Sequence, residues 1–284
     1  MVYCAELNRE FTDKAEMFKA LRNSYKDIIA DKKARIYNSQ IGENKGSIKV
    51  TPIDINKSGT EIKGLKFDTD YYYIAVNTTR ILDSHKDVSI DKSWNKTAKD
   101  QQGKVYLVFN HDFDPTKTIV KKEHIEMMVL TIPFSMLGKS YAGETEALIY
   151  KFRKDKVINQ LAKEWLDSGD DIEASVRMQY VNIMLALNSD DDEDKEFKKN
   201  YLTYYPLIAN KEDFKQIDYF WAVLEQKNVL ESSLVLSGSN SVTGQLREKI
   251  QPLESTDETI EPLESTPKFD LSKAIKETKF NIKN

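Results

Sequence analysis

From Asp170 to Val181 the chain reads Asp-Asp-Ile-Glu-Ala-Ser-Val-Arg-Met-Gln-Tyr-Val, and that alternation forces a strand. With a period of two, Ile172, Ala174, Val176, Met178 and Tyr180 point one way, and Glu173, Ser175, Arg177 and Gln179 point the other. The apolar set must bury itself in a core, so the opposite face is expected to look away from it. Ser175 is then held by a packed strand and presented on the polar side. That is a good mounting for a nucleophile, provided a base stands nearby. Without a base it is a serine on a solvated strand face.

The chain holds three histidines, His85, His111 and His124. His111 closes the apolar run Val105-Tyr106-Leu107-Val108-Phe109-Asn110-His111-Asp112. Apolar on both parities, this run reads as a strand buried on both faces, with the histidine where it emerges. A neutral imidazole there can take a hydroxyl proton. It can equally cap the strand end by bonding to a loop, and the local sequence leaves both readings open.

In all, strands are expected over 47–53, 71–78, 104–111, 124–132, 147–152, 172–187, 219–225 and 229–236, with helices near 155–168 and 194–204. Consecutive strands with short connections favour an antiparallel sheet covered by helices, an α+β domain spanning 47–243. Residues 1–46 carry an amphipathic helix and a linker. Met17, Phe18, Leu21, Tyr25, Ile28 and Ile29 fall at helical spacing between Asp13 and Lys33, with Asp13 and Glu16 as a capping pair. Residues 244–284 differ in kind. Pro252-Leu253-Glu254-Ser255-Thr256 recurs as Pro262-Leu263-Glu264-Ser265-Thr266, with little to bury, so this tail is expected to be flexible. Apolar residues return at Phe269, Leu271, Ile275, Phe280 and Ile282, the pattern of a docking peptide on a linker.

Composition removes several function classes. A net charge of −4, with lysines interleaved among acids, argues against nucleic-acid binding. No apolar run is long enough to span a bilayer, and the first residues lack a secretory pattern, so a soluble intracellular protein is expected. A single cysteine, Cys4, excludes a disulfide framework. The acidic run Asp190–Asp194 lacks the glycine and the bidentate glutamate of a calcium loop. No phosphate-binding glycine loop or zinc spacing occurs, so no metal or organic cofactor is expected.

The order of several segments resembles a known family. An aspartate-rich turn, Leu82-Asp83-Ser84-His85-Lys86-Asp87-Val88, precedes the strand ending in Phe109-Asn110-His111-Asp112. Then come the helix near 155–168, Gly169 and the strand carrying Ser175. Last are Glu231-Ser232-Ser233-Leu234-Val235 and the small-residue turn Ser237-Gly238-Ser239-Asn240. Together these segments resemble the capsid maturation (prohead) proteases of tailed bacteriophages, serine proteases whose fold is similar to that of the herpesvirus assemblins. Phe220-Trp221-Ala222-Val223 and the insert before it look closest to versions from phages of gut Bacteroidetes, including crAss-like phages.

The resemblance implies an antiparallel, barrel-like sheet. It also implies a serine endopeptidase in which Ser175 attacks the scissile carbonyl and His111 is the base. Glu231 would orient the imidazole, with His124 and His85 as the alternatives by analogy with assemblins. The implied substrates are the major capsid protein and the scaffold, cut in the host cytoplasm inside the procapsid, with retention in the virion left open. The implied tail binds scaffold or is removed by self-cleavage at its repeat, and a homo-oligomer is implied because assemblins dimerise. One departure stands out: the family usually carries glycine two residues after the serine, where this chain has Arg177. It favours the alternative expectation, an inactive protease-like scaffold or internal capsid protein.

Overall fold

The computed structural model describes residues 1–38 and 66–246. The strand expected over 47–53 and the repeated tail segment lie outside the described residues. In chain order the elements are β1 (Val2–Cys4), β2 (Arg9–Phe11), α1 (Lys14–Ala34), β3 (Tyr37–Asn38), β4 (Tyr71–Thr78), β5 (Asp87–Ser89), α2 (Asn95–Asp100), β6 (Tyr106–Phe109), β7 (Thr118–Val120) and β8 (Glu126–Pro133). They continue with β9 (Glu144–Arg153), α3 (Gln160–Ser168), β10 (Glu173–Leu187), α4 (Lys195–Tyr204), β11 (Tyr219–Val235) and β12 (Gly244–Leu246).

The helix α1 starts where its sequence demands. The Asp13 carboxylate accepts the Glu16 N–H at 2.9 Å, satisfying one of the orphan donors of the first turn. Glu16 reaches back past the cap, accepting from the Thr12 N–H at 3.0 Å and the Thr12 hydroxyl at 2.7 Å. Met17, Phe18 and Leu21 are buried in the main core, so this helix is part of the body that holds the site.

Two sheets share that core. One runs in the order β3-β10-β11-β6-β7, with β5 also paired to β11; the other runs β12-β4-β9-β8. Pairing is antiparallel except at β5 and β6, which run parallel to β11. The two long strands β10 and β11 form the spine, and the inward residues Ala174, Val176, Met178 and Tyr180 pack with Tyr72, Ile74, Leu148 and Tyr150 from the other sheet.

The fold is therefore mixed α+β, as the patterning implied, but neither sheet closes into a barrel. The reason is visible at Ala174, whose N–H donates to the Thr243 hydroxyl at 3.0 Å while that hydroxyl donates to the Ala174 carbonyl at 2.8 Å. A side chain occupies the position that the next strand's backbone would need. The following residue, Gly244, has φ +127°, and a Cβ there would stand 2.7 Å from the Ile172 carbonyl oxygen, so only glycine allows this approach. From there β12 pairs with β4, Gly244 opposite Ala75, which carries the folded body beyond Thr243. No helix among the described residues is long and apolar enough to cross a membrane.

Candidate active site

Three strands bring three side chains together. In the β10–β11 ladder Ser175 lies opposite Ser233, and Glu231 sits two residues before Ser233 on the same face. The parallel strand β6 places Phe109 beside Leu234. The chain then turns back sharply. Asn110 and His111 both take left-handed backbone conformations, φ 50° and 56°, which bring the imidazole over β11. Such conformations cost on the order of 1–3 kcal/mol each for residues other than glycine, least for asparagine. Two bonds hold them: the Asn110 N–H donates to the Leu234 carbonyl at 3.0 Å, and the His111 N–H donates to the Ser233 hydroxyl at 2.7 Å.

Glu231 reaches the face through a defect in the ladder. Val176 pairs with Ser232 and Met178 with Asn228, so Val229, Leu230 and Glu231 stand opposite Arg177 alone. Leu230, at φ 68°, takes up the excess. A bulge of this kind re-aims the next side chain, and here that is Glu231. What the sequence pattern suggested as two strands, 219–225 and 229–236, is one strand, β11, bulged at the apparent break.

The result is a continuous chain of hydrogen bonds. His111 Nε2 lies 2.7 Å from Ser175 Oγ, and His111 Nδ1 lies 2.8 Å from Glu231 Oε1. The second oxygen, Glu231 Oε2, accepts from the Ser233 hydroxyl at 2.9 Å. With a carboxylate facing Nδ1 the proton belongs on Nδ1, leaving Nε2 to accept from the serine hydroxyl. That is the tautomer a general base needs. Glu231 is 0% exposed, Ser175 2% and His111 9%. A buried carboxylate is tolerated only when its oxygens are bonded, and both oxygens of Glu231 are. Within this screened setting the charge on Glu231 acts on the imidazole with little interference from water.

The burial of Ser175 departs from the expectation of a serine on a solvated face. It does lie opposite the apolar residues of β10, but at this point the face is covered, His111 being folded over it. The alternative orienting residues are elsewhere. His124 ends an exposed turn before β8. His85 sits in the turn before β5, near the Tyr37 ring. Ser233 was not picked out by sequence reasoning, although its signal was present: it shares a strand face with Glu231, two residues away.

Arg177 follows Ser175 on the same strand face, with Asn38 of β3 as its neighbour across the ladder. It is half-buried, and its Nε is buried without a hydrogen-bond partner. Among the described residues no cluster of three or more His, Cys, Asp or Glu is arranged to hold a metal ion. No protein-family model, curated protein or solved structure matches the chain.

Proposed function

We propose that the chain is a serine endopeptidase of the capsid maturation type. The observation that carries this reading is the unbroken sequence Ser175 Oγ, His111 Nε2, His111 Nδ1, Glu231 Oε1 at hydrogen-bond lengths. In the proposed cycle Ser175 attacks the scissile carbonyl as His111 takes its proton, and the imidazolium that forms is stabilised by Glu231. His111 then returns the proton to the leaving amine, and water hydrolyses the acyl-enzyme by the same route in reverse. The motif order that resembles prohead proteases supports the scaffold and the capsid protein as substrates, held at high effective concentration inside the procapsid. It also supports self-cleavage at the repeated tail segment. The alternative, an inactive protease-like scaffold, rests on Arg177 in place of glycine. The intact Ser175–His111–Glu231 chain of hydrogen bonds weighs against it.

The test is intact mass over time for the wild-type chain and for Ser175→Ala, alone and mixed with the capsid and scaffold proteins of the same phage. Cleavage that disappears in the variant, by a factor on the order of 10⁴ or more, is the expected result. A folded wild-type chain that cuts neither itself nor either partner overturns the reading.

A further inference from the structure

Among the described residues there are six arginines, and five have an acidic partner. Arg9 meets Glu16, Arg22 meets Asp194, Arg35 meets Asp31, Arg80 meets Asp91 and Arg153 meets Asp155. Arg177 forms no ion pair with any described residue, although it is half-buried and its Nε is fully covered. Even the exposed Arg9, Arg35 and Arg153 find partners, while the arginine beside the proposed nucleophile finds none among the described residues. An uncompensated guanidinium donor in a covered position costs free energy, and such groups call for a specific explanation.

We propose that Arg177 is the specificity-determining residue of the site, binding an aspartate or glutamate side chain of the substrate within two residues of the scissile bond. The inference rests on the protease reading of Ser175. Two residues along a strand place Arg177 about 7 Å from the nucleophile on the same face. An extended peptide advances by the same increment per residue, so its flanking side chains fall within reach of the guanidinium. The planar fork of arginine matches a carboxylate through two parallel bonds, and the charge selects an acid over an amide. No nearby acid already satisfies it. Glu173, on the same face beyond Ser175, accepts from the Gly238 N–H through Oε2 at 2.7 Å. Glu231 is committed to His111 and Ser233. The glycine expected at this position would offer space; arginine instead offers a binding group, so the departure is a change of substrate preference and not a loss of function.

The experiment presents full-length wild type, Ser175→Ala, Arg177→Ala, Arg177→Lys and Arg177→Glu with a mixture of peptides of varied sequence, reading fragments by mass. Circular dichroism checks that each variant folds. Wild type is expected to cut next to acidic residues. Arg177→Ala should lower cleavage of acidic peptides at least about tenfold relative to their Asn and Gln counterparts. Arg177→Lys should keep part of the preference, and Arg177→Glu should move it toward basic residues. Ser175-dependent cleavage without acidic preference overturns the role of Arg177 and leaves the protease reading standing. Equal loss on acidic and neutral peptides in Arg177→Ala overturns it too, in favour of a general contribution to the transition state. Absence of Ser175-dependent cleavage of any peptide by folded wild type removes the protease reading and this inference together.

Discussion

Two buried ionic clusters lie along β10 and β11, and they are built to opposite ends. In one, the Lys32 ammonium from α1 meets Asp87 of β5 at 2.6 Å, and the other Asp87 oxygen accepts from the Tyr180 hydroxyl at 2.6 Å. Burial alone would lower the Lys32 pKa, but the Asp87 carboxylate outweighs it, so the ammonium is held charged. Burial and the same carboxylate push the Tyr180 hydroxyl well above its usual range. The ammonium and the phenol are thus each held in one protonation state near neutral pH. The other cluster has an imidazole at its centre, the side chain whose ordinary titration lies nearest pH 7, with a carboxylate on one nitrogen and a hydroxyl on the other. Both clusters satisfy their buried charges, but only the second can pass a proton along its length. Burial and pairing are common to both clusters; the proposed catalytic role rests on the imidazole between a carboxylate and a hydroxyl, which the first cluster lacks.

The largest effect should come from making the proposed catalytic cluster resemble the locked one. In Glu231→Gln the amide still accepts from Ser233, but its N–H faces His111 Nδ1 and turns the imidazole to the tautomer with a proton on Nε2. Turnover is expected to fall about 10²–10⁴-fold with the fold retained, measured by peptide cleavage alongside circular dichroism. Unchanged turnover would show that the imidazole does not depend on Glu231.

The converse change probes the locked cluster. Asp87→Ala leaves a buried ammonium unpaired and should cost about 3–5 kcal/mol of stability, read by urea denaturation, with cleavage per folded molecule unchanged. Replacing both partners, Lys32→Met with Asp87→Leu, should recover most of that loss. A folded Asp87→Ala protein that cuts slowly would erase the distinction between the clusters.

How much of this was legible in the sequence differs between the clusters for physical reasons. Ser175 stood out because strand alternation is a local signal, and the run before His111 because a stretch apolar on both parities is one too. The long strands β4 and β10 and the helix α1 follow from the same kind of signal. The left-handed turn at Asn110 and His111 is not encoded by any glycine, and the bulge at Leu230 looked like a break between strands. Both depend on pairing between segments far apart in sequence. The parallel neighbour β5 and the edge strands β3, β7 and β12 are too short for a period to show; β6 was visible as a strand, but not that it runs parallel to β11. The Lys32–Asp87 pair joins a helix to a strand 55 residues away, and no spacing rule connects them. The aspartate-rich turn could be seen, but not that Asp87 serves as the counter-ion of α1.

A smaller change should separate orientation from chemistry inside the proposed catalytic cluster. Ser233→Ala removes the donor to Glu231 Oε2 and the acceptor of the His111 N–H, leaving a left-handed residue less firmly held. A stability loss of about 1–3 kcal/mol is expected, with turnover lowered about tenfold and KM little changed, since Ser233 touches no substrate in the proposed cycle. An effect on KM alone would instead put Ser233 among the substrate contacts.

The smallest effect sharpens the comparison through pH. Asp83 accepts N–H bonds from His85 at 2.8 Å and Asp87 at 2.9 Å, shaping the turn that presents Asp87 to Lys32. Burial, reinforced by the neighbouring Asp87 carboxylate, pushes the Asp83 carboxyl up to about 8 from an ordinary 3.8. Between those values the unfolded chain has released a proton that the folded chain still holds. Folding therefore takes up a proton, and this group makes stability fall as pH rises from about 4 to about 8. His85 acts in the opposite sense: burial lowers its pKa, so its contribution is lost as pH falls through its ordinary value. Comparing wild type with Asp83→Asn, which keeps the accepting oxygen, cancels the His85 contribution. The urea midpoint of the variant should drop less between pH 5 and pH 8 than that of wild type, while the pH dependence of cleavage per folded molecule stays the same. A shift in the cleavage profile would mean that the two clusters are coupled along β10, and that the aspartate-rich turn tunes the base as well as the fold.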